Sequence, residues 1–409
     1  MSNANENIIS LLDNEEDISC QFFEDLVIFD EGEDEIYIGR TLINRFILVP
    51  KIAGYIINEL RNGKTLSEVK TDLNSKDIEV DLEDFILSLL SINFVKKVGE
   101  HVIPSEEQEK KNGITFEFVK QKHVKWIFSI PAAIAYFIFV SIALFLLLSG
   151  KTGSIIPSYD EAFWHSSLLV VVLSLIVLDI VFNSFHELFH FFSTRAISGG
   201  LGFMSLGRRL THLVFQTKIE NIWVIPRKKR YIIYLSGMLF DIFLICIFTY
   251  IAFFQFETQG LLYHFSRFVI LLLLIGLVFE FRFYMKTDLY YLISDYLKYP
   301  TLFEESYDLF KSLIKSRSTK GKYPKKVWIY GTFMVLGSII DILITFNYII
   351  PVVVSVFTNI KSSFESGTTG EIISNVLTIT LIIVETALVI YFFVRDKYSK
   401  QEKSFSVSN

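Results

Sequence analysis

The sequence predicts a mainly α-helical, polytopic membrane bundle of about six transmembrane helices, carrying a small α+β domain at its N-terminus. Three observations support this. Of 409 residues, 51% are hydrophobic, 40 are Phe and 19 are Tyr, and the mean hydropathy is +0.44; such values require much of the chain to be dissolved in lipid. Apolar runs of about 20 residues or more, the length that crosses a hydrocarbon core, recur near 126–148, 166–192, 231–254, 265–283, 327–356 and 371–394. Residues 1–110, by contrast, are rich in Asp and Glu and mix short strand-like pieces with helical periodicity.

Residues 1–20 read as an acidic tail and 21–105 as the small domain. In it, strand-like pieces from Asp25 to Phe29 and from Glu35 to Gly39 precede helical segments near 50–60, 65–74 and 80–92, and Phe94 to Val98 forms a closing strand. Asn62-Gly63 ends the first helix, and Thr65 with Glu68 makes a capping box that opens the second. A charged linker, densest from Glu106 to Asn112, runs over 106–125. The N-terminus lacks the basic-then-apolar pattern of a cleaved signal peptide, so this domain is expected in the cytoplasm. The two cysteines, Cys20 and Cys246, fall on either side of the membrane boundary, which argues against a disulfide or a Cys-zinc site. The net charge of −5 combines an acidic N-terminal part with basic loops and argues against nucleic-acid binding.

The membrane-embedded part spans 126–395 and a cytoplasmic tail follows over 396–409. The fifth apolar run contains Asn347 and Pro351 and is expected either to kink there or to end early and continue along the interface. Lys and Arg crowd the loop after the second run, from Arg195 to Arg230, the loop after the fourth, from Lys286 to Lys326, and the tail from Arg395 onward. The opposite loops offer little beyond Lys151 and Lys361, so both termini are expected on the cytoplasmic side of the cell membrane.

The sharpest chemical signal is His186-Glu187-Leu188-Phe189-His190, an H-E-x-x-H sequence at the end of the second apolar run. Residues four apart lie on one helix face, so both imidazoles can hold one Zn²⁺ while Glu187 serves as the general base. Catalytic zinc takes three protein ligands, so a further donor is required at the same depth. The acids within or beside the apolar runs are Asp179, Asp241, Glu280, Asp341, Glu385 and Asp288. Depth favours Asp288, just beyond the fourth run. Asp241, about ten residues and 15 Å into the third helix, is expected to lie too deep, and Asp179, about two turns before His186, to be an outer or channel group. His212 and His264 stand in no ligand-like pair and read as interfacial side chains.

These residues resemble the site-2-protease-like peptide zinc metalloproteases. The resemblance is carried by H-E-L-F-H, Gly199-Gly200 with Gly202, Trp223-x-x-Pro226-Arg227, Ser236-Gly237-Met238-Leu239-Phe240-Asp241, and the stretch from Thr287 to Leu297 followed by Pro300. It implies an intramembrane zinc endopeptidase whose metal ligands are His186, His190 and Asp288 and whose catalytic base is Glu187. Leu289 departs from the pattern, since the family generally has Gly there, and an Asn usual shortly before the Asp is absent. The N-terminal domain is similar to PqqD-like, winged-helix-like leader-peptide-binding domains, through Val49 to Leu60, Asn62 to Thr65, Leu82 to Leu90 and Phe94-Val95. That likeness implies a partner, the leader of a ribosomally made peptide, held by β-augmentation.

The expected function is maturation or clearance of such a peptide, modified or not, with a separate transporter as a further partner. The rival expectation, favoured by Leu289, is a non-proteolytic protein that binds, exports or confers immunity to the peptide. Regulated cleavage of a membrane-bound signalling factor is a third, disfavoured by the lack of a recognisable extracytoplasmic insertion.

Overall fold

The computed structural model describes residues 18–30, 34–105, 114–200, 202–209, 212–219, 221–315, 319 and 321–406; the expected linker from Glu106 to Asn112 and most of the acidic tail lie outside them. The chain divides into two compact units, Met1–Asn112 with Ile219–Arg230, and Gly113–Lys218 with Tyr231–Asn409.

The first unit contains β1 (Cys20–Phe22), β2 (Leu26–Asp30), β3 (Glu35–Arg40), β4 (Arg45–Pro50), α1 (Lys51–Arg61), α2 (Leu66–Ser75), α3 (Leu82–Ser91), β5 (Val95–Val98) and β6 (His101–Val102). The strands form two antiparallel sheets, β2-β3-β4 and β1-β5-β6. Nothing in the sequence pattern marks Arg45–Pro50 as a strand, because a continuous apolar run has no alternation to read. Its full register with β3, from Glu35↔Pro50 to Arg40↔Arg45, decides the matter. The three helices lie where periodicity places them. Thr65 Oγ1 accepts from Glu68 N at 3.3 Å and Glu68 returns a bond from Thr65 N at 2.9 Å, while Asp81 caps α3 through Asp84 N at 3.0 Å.

Ile38, Ile57, Val69, Ile86, Phe94 and Val95 fill the core of this unit. Buried Arg40 is held by Asp25 at 3.0 Å and by Asn93 Oδ1 at 2.7 Å, with its guanidinium over Phe23. The segment Ile219–Arg230 belongs to this unit, although the sequence places it in the membrane domain. Trp223 stacks on Tyr37 at 4.9 Å, buried Arg230 lies over both rings, and Asn221 Nδ2 donates to Thr41 O at 3.1 Å. Cys20 sits in the core, where burial pushes its thiol up to about 12. Iodoacetamide at pH 8 should therefore leave Cys20 unmodified in the native protein and label it after denaturation, as peptide mass spectrometry would read.

Among its described residues, the second unit is mainly helical and carries a β-hairpin. It contains α4 (Gln121–Val124), α5 (Ile130–Leu148), α6 (Leu168–Ser198), β7 (Phe203–Arg209), β8 (His212–Lys218), α7 (Arg227–Gln255, whose first four residues group with the first unit), α8 (Leu261–Phe279), α9 (Asp288–Tyr296), α10 (Leu302–Ile314), α11 (Lys325–Ile344), α12 (Ile350–Ser366) and α13 (Thr369–Ser406). Among the described residues, five segments are long and apolar enough to cross a membrane: Ile130–Leu148, Leu168–Ser198, Arg227–Gln255, Leu261–Phe279 and Lys325–Glu365. They mark the chain as an integral membrane protein. In α13 the apolar part among the described side chains is Thr369–Val384, shorter than a span.

The fifth run holds a π-helical segment, Thr345–Ile349, joining α11 to α12 just before Pro351. The wider turn accommodates a residue that has no N–H and crowds the preceding carbonyl. Helix α6 does not stop near 192 but runs to Ser198 and ends at Gly199, whose φ of 80° supplies the left-handed cap. This shift in helix end alters the depth of everything on α6. Near the start of α8, Arg267 is fully buried and held by Glu161 at 2.9 Å and Ser154 O at 2.8 Å, tying down the loop before α6. Helices α9, α10 and α11 share a cluster of Tyr290, Leu302, Leu309, Val327, Tyr330 and Met334. The hairpin pairs Phe203↔Lys218 through Arg209↔His212, and Ile114 bridges Met204 on the outer side of β7.

Candidate metal centre

His186, His190 and Asp288 each offer a donor atom, and these atoms lie within 4.8 Å of one another. Asp288 Oδ2 is 3.1 Å from His186 Nε2 and 2.8 Å from His190 Nε2, and the two Nε2 atoms are 3.2 Å apart. A tetrahedral zinc with bonds of about 2.0–2.1 Å sets its ligand atoms about 3.3 Å apart, so the three donors stand nearly at the spacing such an ion requires. Helical spacing brings the imidazoles together. Asp288 arrives from the first residue of α9, where the partial positive charge of a helix start favours a carboxylate. Its backbone N–H donates to buried Glu280 at 2.9 Å, and Thr287 Oγ1 donates to Glu280 O at 2.8 Å, which fixes the helix start.

The far sides of both imidazoles are also determined. His190 Nδ1 lies 2.7 Å from Ile233 O, which can only accept, so that nitrogen carries the proton. His186 Nδ1 lies 2.7 Å from Asp241 Oδ2 on the same logic. Both Nε2 atoms then face inward, as carboxylate- and carbonyl-supported metal ligands do. Three electron-rich atoms this close require positive charge among them, from protons on the imidazoles or from a cation. Burial alone would push the Asp288 carboxyl up, but the imidazoles beside it outweigh that and hold it well below the usual carboxylate range. Gly237 completes the cradle, because a Cβ there would lie 2.4 Å from His186 Nε2 and 2.5 Å from His190 Nε2. Only glycine lets α7 approach this closely. The donor set and its spacing fit Zn²⁺.

Glu187, the expected base, is turned toward the hairpin. Its Oε2 accepts from Thr217 N at 2.7 Å, and its backbone carbonyl accepts from Thr217 Oγ1 at 2.6 Å. The outer edge of β8 is thus fixed beside Glu187, the chain neighbour of His186.

The remaining acids fall elsewhere. Asp179 accepts from Asn183 Nδ2 at 2.9 Å, and Asp341 accepts from Tyr284 at 2.8 Å and pairs with Arg282. His264 is exposed in the first turn of α8, while the side chains of Glu385 and His212 lie outside the described residues. Asp241 needs a correction. It is not too deep: His186 lies about 18 Å before the end of α6 and Asp241 about 21 Å into α7, so their depths match. The sequence did hold a signal, since an acid inside an apolar helix requires a partner. Ser236, bonded to Ser193 at 2.9 Å and to Ile233 O at 2.8 Å, and Gly237 are further neighbours that spacing alone does not reveal.

Leu289 also reads differently in place. It lies within α9, outside the left-handed region, and packs against the α9–α11 cluster. No positive φ calls for a glycine there.

Comparison with known protein families, curated proteins and solved structures found nothing that matches this chain.

Asp241→Asn tests the support of His186. An asparagine can offer its NH₂ to Nδ1 and drive the proton to Nε2, so zinc affinity should fall about 10- to 100-fold. Competition against a zinc-binding dye measures it.

Proposed function

We propose that the protein is an intramembrane zinc endopeptidase of the site-2-protease type, acting on a ribosomally made or membrane-associated peptide. The single observation that carries this reading is the convergence of His186, His190 and Asp288 at zinc-like spacing, with Glu187 next to His186 in the chain. Zn²⁺ held there would supply the positive charge that acidifies an attacking water and polarises the scissile carbonyl. Glu187 takes the water's proton and later delivers it to the leaving amine. Asp241 and Ile233 O keep the two imidazoles in the binding tautomer.

A peptide bond inside a helix is shielded by its own turn, so the substrate must present an extended segment. The outer edge of β8, anchored where Thr217 N–H donates to Glu187, gives that segment ladder partners in the backbone groups beyond that bond. On this reading the first unit is a winged-helix-like, PqqD-like domain that captures the leader peptide, and delivery to or from a separate transporter follows. The bilayer is the cell membrane, both termini are cytoplasmic, and α13 makes the sixth crossing. The rival reading, a peptide-binding, export or immunity protein, draws on Leu289, which packs against the α9–α11 cluster.

The test is cleavage of an apolar, helix-poor peptide by detergent-purified protein. Cleavage by wild type but not by Glu187→Gln at equal zinc load supports the reading. An intact peptide with both, at full zinc, overturns it.

A further inference from the structure

We infer that Asn183, oriented by Asp179, is a substrate-positioning residue that accepts a hydrogen bond from a backbone N–H of the extended peptide on the membrane side of the metal centre. The inference rests on the peptidase reading and names a contact outside the metal ligands and the general base.

Asp179 and Asn183 are an unusual pair for their place. They lie on α6 within an apolar helix of membrane-crossing length, and Asn183 is exposed. A polar side chain there is costly unless it does something. At about 100° per residue, Asp179, Asn183, His186, Glu187 and His190 fall within an arc of about 100°, forming one polar stripe down α6. Asn183 lies between the directions of His186 and Glu187, about one turn or 4.5–6 Å earlier along the axis. A peptide beside Glu187 that continues along α6 meets Asn183 next.

The pair is already oriented for that contact. Asn183 Nδ2 donates to Asp179 Oδ1 and to Asp179 O, both at 2.9 Å. With its NH₂ committed to Asp179, the amide oxygen points the other way, and among the described residues it accepts no hydrogen bond. An extended substrate has the complementary need, because every backbone N–H it exposes in lipid requires an acceptor. A carbonyl oxygen one turn from the reacting bond satisfies one of them. Asp179 is a positioning residue acting through Asn183.

The probe is a hydroxamate with a tail of three apolar residues, which anchors at a metal site, and its affinity for zinc-loaded protein in detergent is measured by calorimetry. Asn183→Leu suits the apolar helix and should keep full zinc while weakening the hydroxamate about 10- to 100-fold, the loss expected when a buried N–H is left unpaired. Asn183→Gln, which keeps both an acceptor oxygen and an NH₂ for Asp179, should recover part of that affinity. Tails N-methylated at each position in turn separate positioning from a general loss of fit. One such tail should bind wild type as weakly as the parent binds Asn183→Leu, and should lose nothing further in that variant. Equal affinity of wild type and Asn183→Leu overturns the inference and leaves the peptidase reading standing. So does a loss that every N-methylated tail merely adds to. A wild-type protein that holds zinc but does not bind the hydroxamate overturns both.

Discussion

Asp288→Ala, and separately His186→Ala, should strip the purified protein of zinc, against about one ion per chain in the wild type. Each variant removes one of the three donors that converge among the described residues. Asp288 is the anionic one, and without it a dication would sit between two neutral imidazoles in a poorly hydrated site. Loss of a mere outer partner of a zinc ligand costs about 10–100-fold in affinity, so loss of a ligand should cost more than about 100-fold. The metal content of gel-filtered protein in detergent, read by mass spectrometry, measures this. Asp179→Asn is the matched control, since Asp179 bonds Asn183 rather than any of the three donors. Full zinc in Asp288→Ala would mean that another carboxylate ligates, and Glu280, bonded to the Asp288 backbone N–H, is the one placed to substitute.

The legible part of the site is the part encoded by local spacing. Two histidines four apart on a helix point the same way whatever the helix packs against, so His186 and His190 could be paired from sequence alone. Asp288 was legible for a different reason, as the acid next to the end of an apolar run. Asp241 shows where depth reasoning fails: a run taken to end near 192 puts the histidines at a membrane boundary, whereas Gly199 ends the helix about three turns beyond them. The Gly199-Gly200 pair carried the correct stop. Gly237 could not have been singled out, because its role depends on an approach between α6 and α7 that no spacing on either helix specifies.

The fold divides along the same line. Long apolar helices and the capped helices of the first unit follow from periodicity and cap chemistry, which are local. Short pieces that exist only through pairing, such as Cys20–Phe22 opposite β5, were not legible. Nor was the excursion of Ile219–Arg230 into the first unit, where Trp223 and Arg230 find their partner in Tyr37, far away in sequence. Nor does local pattern give Arg267 a partner. Its partner Glu161 lies in a loop whose path no local pattern specifies.

Glu187→Gln should abolish peptide cleavage while leaving zinc content unchanged. The substitution is conservative where structure is concerned: glutamine keeps an oxygen that can accept from Thr217 N–H, and the bond from Thr217 Oγ1 to the backbone carbonyl is untouched. What it loses, on the peptidase reading, is the ability to take a proton from water and return it to the leaving amine. General acid–base catalysis contributes about 10²–10⁴-fold, so turnover should fall by at least that range and below detection for a slow enzyme. Zinc measured on the same preparation separates this from loss of the site. The cellular counterpart discriminates the rival directly. If the protein matures or clears a peptide, cells carrying Glu187→Gln at wild-type abundance should accumulate the uncut form. A protein that only binds, exports or protects would work as well with glutamine, because the metal cluster, the β8 edge and the first unit are all unchanged by it. The outcome turns on one oxygen that must hold and release a proton beside His186, and no binding function requires that of it.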